Sequence, residues 1–130
     1  MSGKKAKVPR PTDAELEILR VLWRRGPSTV RQVHEALAAD KDTSFNTKLK
    51  LLQIMYGKGL VTREDSRRPH VYQAAAPETQ MQKTLVSDLL RRGFGGSARK
   101  LVAALTATDI PEDELAEIRK LLNELGEKQS

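Results

Sequence analysis

Cysteine is absent from the 130 residues of this chain, and aromatic residues make up only 4% of it. The absence of cysteine excludes disulfides, thiolate metal sites and cysteine nucleophiles, and it suits a reducing cytosol. With so few aromatic side chains the core must be built mainly from Leu, Val, Ile and Ala, which favours helices. No apolar run is long enough to span a bilayer or to follow the basic N-terminus as a secretory signal, so we expect a cytoplasmic protein.

Residues with catalytic or metal-binding potential are also scarce. His34 and His70 have no partner at a spacing typical of metal ligands. Residues 93–96 contain the glycines of a phosphate-binding loop but lack the preceding strand and the Lys-Ser/Thr pair. Asp113 and Glu114 are typical of the first turn of a helix rather than of an acid/base couple. We therefore expect no active site, no metal and no cofactor.

Charge is divided unevenly along the chain, whose net charge is +6. Residues 1–76 hold 15 Lys+Arg and 8 Asp+Glu, a balance of +7, whereas residues 77–130 hold 8 and 9, a balance of −1. A basic part joined to a neutral part suggests that the basic part faces a polyanion such as nucleic acid. Many soluble proteins are basic for other reasons, so charge alone leaves this question open.

The basic part begins with patterns typical of helix starts. Residues 1–11 contain lysines, an arginine and prolines and cannot bury an apolar face, so they are predicted to form a disordered basic arm. Thr12 and Glu15 have the spacing of a capping box and predict the start of a first helix, and Gly26 with Pro27 predicts its end. Ser28 or Thr29 is the predicted cap of a second helix.

A third helix and a hairpin complete this part of the chain. The helix is predicted from about residue 44 to 57, with Gly59 as its stop. Two short strands at 60–63 and 70–74 flank a polar turn. The order helix, helix, helix, hairpin is that of a winged helix-turn-helix. Residues 12–76 are therefore predicted to be a winged-helix domain that binds double-stranded DNA.

Residues 77–126 are predicted to form three short amphipathic helices. About fifty residues arranged in this way make a poor core by themselves, so we expect a second copy of the chain to cover their apolar faces. The alternative is that they fold back onto the winged helix. The predicted fold is thus mainly α, with a C-terminal three-helix dimerisation region. The predicted dimerisation residues are Met81, Leu85, Leu89, Leu101, Leu105, Leu115, Ile118, Leu122 and Leu125.

The third helix is the candidate for reading a DNA sequence. An exposed helix start fits the major groove, where Asn46 can pair with adenine and Lys50 can reach a guanine or a phosphate. The basic hairpin beside it would lie along the sugar-phosphate backbone. The alternative to a DNA-binding surface is an ordinary solvated helix start beside an ordinary solvated turn. The acidic residues Glu64 and Asp65 in the hairpin fit a solvated turn. The predicted DNA-binding residues are Ser44, Asn46, Thr47, Lys48, Lys50, Gln53, Lys58, Arg63, Arg67 and Arg68.

In order and spacing, several segments of this chain resemble the penicillinase-repressor family, usually called BlaI/MecI/CopY. The resemblance covers nearly all residues from 11 to 125. The segments that carry it include PTDAELEIL at 11–19, SFNT at 44–47, LQIM at 52–55, KGLV at 58–61 and GFGGS at 93–97.

The resemblance implies a homodimeric repressor that binds palindromic operators, often of resistance genes. It also implies a membrane sensor with a metalloprotease domain as a partner, and induction by cleavage of the repressor in its dimerisation region. By alignment the cleaved bond falls near Ala103 and Ala104, which differ from the Asn-Phe pair of the best-known members. The cysteine motif of the copper-responsive branch is absent, which excludes copper sensing through thiolates.

Lys48 departs from the family pattern, which commonly has a valine on this core-facing side of the third helix. A buried and unpaired ammonium is costly. Either the Lys48 side chain extends to the edge, where it could contact a phosphate, or the helix is slightly rotated, or stability is lost at this site. The sequence does not choose between these alternatives.

Two other functions remain open at the level of sequence. A winged helix can serve as a protein-interaction module without sequence-specific DNA binding, because a fold does not determine a function. A ligand-sensing regulator would need a small-molecule pocket, and the sequence shows no polar lining for one. The uneven charge and the polar start of the third helix favour DNA binding.

Overall fold

A computed structural model describes residues 10–37, 44–66 and 68–129. Most of the predicted basic arm therefore lies outside the described residues, and so does Arg67. The described residues form six helices and two strands, which confirms the prediction of a mainly α chain with a winged helix-turn-helix. In chain order these elements are α1 Asp13–Arg25, α2 Val30–Leu37, α3 Phe45–Lys58, β1 Val61–Glu64, β2 Val71–Ala74, α4 Glu78–Phe94, α5 Ala98–Thr106 and α6 Glu112–Gln129.

Helix α1 begins with the predicted capping box. The backbone N–H of Glu15 donates to Thr12 Oγ1 at 3.2 Å, and the backbone N–H of Thr12 donates to Glu15 Oε1 at 2.9 Å. These two bonds satisfy N–H groups that have no partner within the helix. At the other end Gly26 donates its N–H to the Leu22 carbonyl at 2.8 Å. The sequence therefore predicts both ends of α1.

The next two helices are also capped by their own sequence. Thr29 caps α2, because its Oγ1 accepts from the backbone N–H of Gln32 while Gln32 Oε1 accepts from the N–H of Thr29. Ser44 caps α3 by accepting from the N–H of Thr47 at 3.2 Å. Gly59 ends α3 with a φ of 86°, a left-handed conformation that favours glycine.

Strands β1 and β2 form a two-stranded antiparallel hairpin, here called the wing. Val61 pairs with Ala74 at the base and Glu64 pairs with Val71 near the turn. Tyr72 also exchanges two backbone hydrogen bonds with Ser28, at 2.7 and 2.9 Å. These bonds attach the wing to the connection between α1 and α2, so its position relative to the helices is set by backbone pairing.

The core of the first unit, residues 1–87, is made of aliphatic side chains from all three helices and the wing, with Tyr72 as its largest buried residue. Met81 of α4 belongs to this core and is 3% exposed, and the partly buried Leu85 packs against the core. Trp23 Nε1 donates to the Ala76 carbonyl at 3.0 Å, which holds the start of α4 to α1. The prediction that Met81 is a dimerisation residue is therefore wrong, because its side chain is already buried within one chain.

The second unit, residues 88–130, contains the end of α4 with α5 and α6. Gly95 and Gly96 have positive φ values and separate α4 from α5, and Ser97 caps α5 by accepting from the N–H of Lys100 at 3.1 Å. No side chain described in this unit is buried. Its leucines are therefore all exposed or half-buried in a single chain. None of the helices in the described ranges is long and apolar enough to cross a membrane.

Candidate nucleic-acid interface

One face of α3 presents polar side chains to solvent. Asn46, Lys50 and Gln53 are exposed and follow one another at intervals of four and three residues, which places them on the same side of a helix. On the opposite side Leu52 and Met55 are fully buried and fix the helix to the core. The structure thus brings the predicted base-reading residues together on one exposed face.

The first turn of α3 combines this face with the helix cap. Thr47 is exposed beside Asn46, and its hydroxyl is 3.1 Å from that of Ser44. Ser44 is exposed as well, but its Oγ already accepts the capping hydrogen bond from the Thr47 N–H. Ser44 therefore positions the start of α3 while retaining an exposed hydroxyl.

Lys48 does not belong to the exposed face. Its side chain is 4% exposed, because position 48 lies one and two turns from Leu52 and Met55 on the buried side of α3. Lys48 has an interaction partner within the chain. The prediction that Lys48 is presented to DNA is therefore replaced by a position inside the domain.

Lys58, also predicted to contact DNA, is engaged by a buried carboxylate. Its Nζ donates hydrogen bonds to Glu15 Oε1 at 2.9 Å and Oε2 at 2.8 Å, which joins the last turn of α3 to the first turn of α1. Burial by itself would raise the pKa of Glu15, but hydrogen bonds from Lys58 and Thr12, together with the charge of Lys58, lower it. Lys58 thus neutralises a charge inside the domain.

The wing places further basic groups beside α3. Arg68 is exposed in the turn, and the Arg68–Pro69 peptide bond is cis. Arg63 Nε donates to Asp65 Oδ1 at 2.6 Å, and its guanidinium lies 4.1 Å from the centroid of the Tyr56 ring. The hydrogen bond from Arg63 lowers the pKa of Asp65, which stays charged. Arg63 is therefore held between the wing and α3 with part of its charge already neutralised.

Arg31 is a basic residue near this surface that sequence reasoning missed. It lies exposed in the first turn of α2, with its guanidinium carbon 5.5 Å from the centroid of the Phe45 ring at the start of α3. The sequence shows only that Arg31 is a cation near the start of the second helix. That α2 brings Arg31 close to α3 is seen only in the structure. The basic surface thus extends from the wing to α2.

Four of the predicted dimerisation residues in the second unit line one apolar groove. Leu105 and Leu122 with the half-buried Leu115 and Ile118 line a groove of about 540 Å³ between α5 and α6. Leu101 is half-buried, whereas Leu89 and Leu125 are exposed outside this groove. The residues at the predicted cleavage point, Ala103 and Ala104, are exposed but lie within α5.

Comparison with known proteins supports the resemblance stated above. A family model described as penicillinase repressor matches residues 11–124. The transcriptional regulator BlaI of Mycobacterium tuberculosis is 32% identical over 121 residues, which cover 92% of this chain and 88% of that protein. The methicillin resistance regulatory protein MecI of Staphylococcus aureus is 23% identical over 113 residues, covering 86% and 92%. The solution structure of the DNA binding domain of the repressor BlaI matches 56% of this chain and 89% of that chain, with a TM-score of 0.50 and 27% identity.

Proposed function

Because this chain belongs to the penicillinase repressor family, we propose that it is a cytoplasmic transcriptional repressor that binds a palindromic DNA operator as a homodimer. The observation that carries the proposal is the exposed polar face of α3, on which Asn46, Lys50 and Gln53 stand together. A helix of this kind fits the major groove, whose base edges differ for all four base pairs. The protein then acts by occupying DNA and not by catalysis.

Base reading and backbone contact are assigned to different elements. Asn46 and Thr47, in the first turn of α3, read base edges, and Lys50 and Gln53 extend the contact by one turn. Arg68 of the wing contacts backbone phosphates, which set orientation and affinity but carry little sequence information. Arg67, which precedes Arg68 in the sequence, is proposed to contact backbone phosphates as well.

The dimer is proposed to form through the region at 77–126, which follows the winged-helix domain at 12–76. The start of α4 is excepted, because Met81 is part of the core of the first unit. Support comes from the leucines of α5 and α6, which no element of the described second unit buries. A second copy would cover them and remove apolar area from water on both chains. Two winged helices related by a two-fold axis would then meet operator half-sites about one helical turn apart.

Release from DNA is proposed to follow cleavage by a membrane sensor with a metalloprotease domain, as in other members of the family. Ala103 and Ala104 are exposed, but their backbone hydrogen bonds belong to α5. A protease binds an extended segment, so cleavage at this bond requires α5 to unwind locally. Cleavage there would separate α6 from the rest of the chain and weaken the dimer.

The proposed function is tested by selecting DNA from a random pool with the purified full-length protein. We expect the selected fragments to share a palindrome. Affinity for it should fall by roughly a thousandfold or more between about 50 and 200 mM salt, because several Lys and Arg side chains release counterions from phosphates. Fluorescence anisotropy with a labelled duplex measures the affinity at each salt concentration. The absence of binding at low salt would end the proposal.

Replacing Asn46 with alanine should reduce the preference for the operator over random DNA by about 10- to 100-fold, the contribution of one bidentate base contact. Affinity for random DNA should change little, because Asn46 is not assigned a phosphate contact. Competition binding with the two DNAs measures the ratio. Asn123→Ala, in the exposed part of α6, is the matched control and should leave the ratio unchanged. An unchanged ratio in Asn46→Ala would show that this residue does not read bases.

A further inference from the structure

A cleft in the first unit lies between α3 and the wing, with the start of α2 at one end. Its volume is about 370 Å³, and sites for small molecules typically occupy about 300–1,000 Å³. Val30, Phe45, Leu49 and Tyr72 supply an apolar wall. The cleft therefore combines the size of a small-molecule site with one apolar side.

The charged side chains that line this cleft are the two cations Arg31 and Arg63, and His70 lines it as well. No carboxylate occurs among the described residues of the lining. Arg63 is held by Asp65, and His70 Nε2 lies 3.7 Å from the same carboxylate. Arg31 instead lies against the Phe45 ring, and thus at the apolar wall itself. A cation is therefore placed beside an apolar surface.

From this combination we propose that the cleft binds a small organic acid whose aromatic or alicyclic body covers the apolar wall and whose carboxylate meets Arg31. A guanidinium pairs well with a carboxylate, because its N–H groups can donate two parallel hydrogen bonds to the two carboxylate oxygens. A neutral apolar molecule would form no ion pair with Arg31. A DNA phosphate alone would not pack against the apolar wall.

The position of this cleft gives the acid a regulatory effect. Gln53 and Arg63 line it and also belong to the proposed DNA-binding residues. An acid seated there occupies space between the two elements that are proposed to contact DNA, so acid and DNA oppose one another. By linkage each weakens the binding of the other by the same factor. This effect rests on the proposed function, whereas the binding of the acid to the protein does not.

The binding site is tested on the full-length protein without DNA, by isothermal titration with sodium 2-naphthoate and with the uncharged 2-naphthamide. We expect saturable binding of naphthoate at one site per chain, with a Kd of roughly 0.1–1 mM, as befits a ligand of this size. Naphthamide should bind about tenfold more weakly, because it lacks the charge-assisted bond to Arg31. Absence of saturable naphthoate binding would overturn the proposal, and so would equal binding of the two compounds.

Two variants locate the site. Arg31→Gln should weaken naphthoate binding about tenfold and leave naphthamide binding unchanged, whereas Arg24→Gln, on the exposed side of α1, should alter neither. Leu49→Trp should fill the cleft and abolish binding of both compounds. Should Leu49→Trp fail to fold, Arg31→Gln still decides the matter because its side chain is exposed. Unchanged naphthoate binding in Arg31→Gln would overturn the assignment.

A second measurement addresses regulation. Naphthoate should lower the affinity for the selected operator, whereas sodium acetate at the same concentration should not. Arg31→Gln should require about tenfold more naphthoate for the same effect. Naphthoate binding without any change in DNA affinity would overturn the regulatory effect and leave the acid site standing. Absence of DNA binding by the protein itself would instead contradict the proposed function, with the titrations above unaffected.

Discussion

Replacing Lys58 with methionine is expected to lower the free energy of unfolding by about 2–3 kcal/mol at pH 7, because the buried carboxylate of Glu15 loses the cation that neutralises it. Breaking a fully buried pair costs about 3–5 kcal/mol, and a smaller loss is expected here because the Lys58 side chain is 35% exposed and partly screened by water. Methionine retains most of the apolar stem, so the loss reports mainly the charge. Urea unfolding at one fixed protein concentration measures it.

The same ion pair predicts how stability depends on pH. In the wild type the pKa of Glu15 is lowered on folding, so its contribution is present above the unfolded-state pKa of about 4.3. It is lost as the pH falls through the folded-state pKa. In Lys58→Met the hydrogen bonds of Thr12 still lower the pKa of Glu15 but the cation no longer does, so we expect this pKa to be higher than in the wild type. The stability difference between wild type and variant should therefore shrink as the pH is lowered from 7 to about 4.

Two further variants separate this charge effect from a general loss of lysine. Lys83→Met, on the exposed side of α4, makes the same change and should alter stability by less than about 0.5 kcal/mol. The double variant Glu15→Gln/Lys58→Met should be more stable than Lys58→Met alone, because it no longer contains an unneutralised buried carboxylate. A double variant no more stable than Lys58→Met would refute the charge explanation, as would a stability difference between wild type and Lys58→Met that is independent of pH.

The features that were predictable from the sequence are those determined by near neighbours in the chain. A capping box joins residues three apart, so Thr12 and Glu15 were sufficient to place the start of α1. Gly59 likewise marked the end of α3 because it supplies a left-handed residue. The polar face of α3 follows from a period of 3.6 residues. The strands of the hairpin, which are joined by a short turn, lie within one residue of their expected positions.

The features that were not predictable depend on contacts between distant segments. The Lys58 ammonium and its partner Glu15 are 43 residues apart, so a lysine near the end of a basic helix was assigned to DNA. Met81 followed the apolar spacing of its helix, but that spacing does not say whether the winged-helix core or a second chain covers it. Spacing likewise gave no sign of the cleft between α3 and the wing, whose walls come from three separate segments.

The second prediction of large effect concerns the proposed dimer. Leu122→Glu should convert the protein to monomers and lower its affinity for a palindromic operator by about 100-fold or more, because the second winged helix no longer binds as part of the same molecule. Leu122 is 51% exposed in a single chain and lines the apolar groove between α5 and α6. In a two-fold interface the substitution places two carboxylates in apolar surroundings, where each is costly without a partner.

Sedimentation velocity across a range of protein concentrations measures the association, and anisotropy with the full operator and with one half-site measures the DNA affinities. Affinity for one half-site should stay close to that of the wild type, since Leu122 lies outside the winged-helix unit. Asn123→Glu adds the same charge to the next position of α6, which lies off the apolar stripe, and should remain dimeric. A Leu122→Glu protein that stays dimeric, or that binds the full operator as tightly as the wild type, would show that this groove is not where two copies meet.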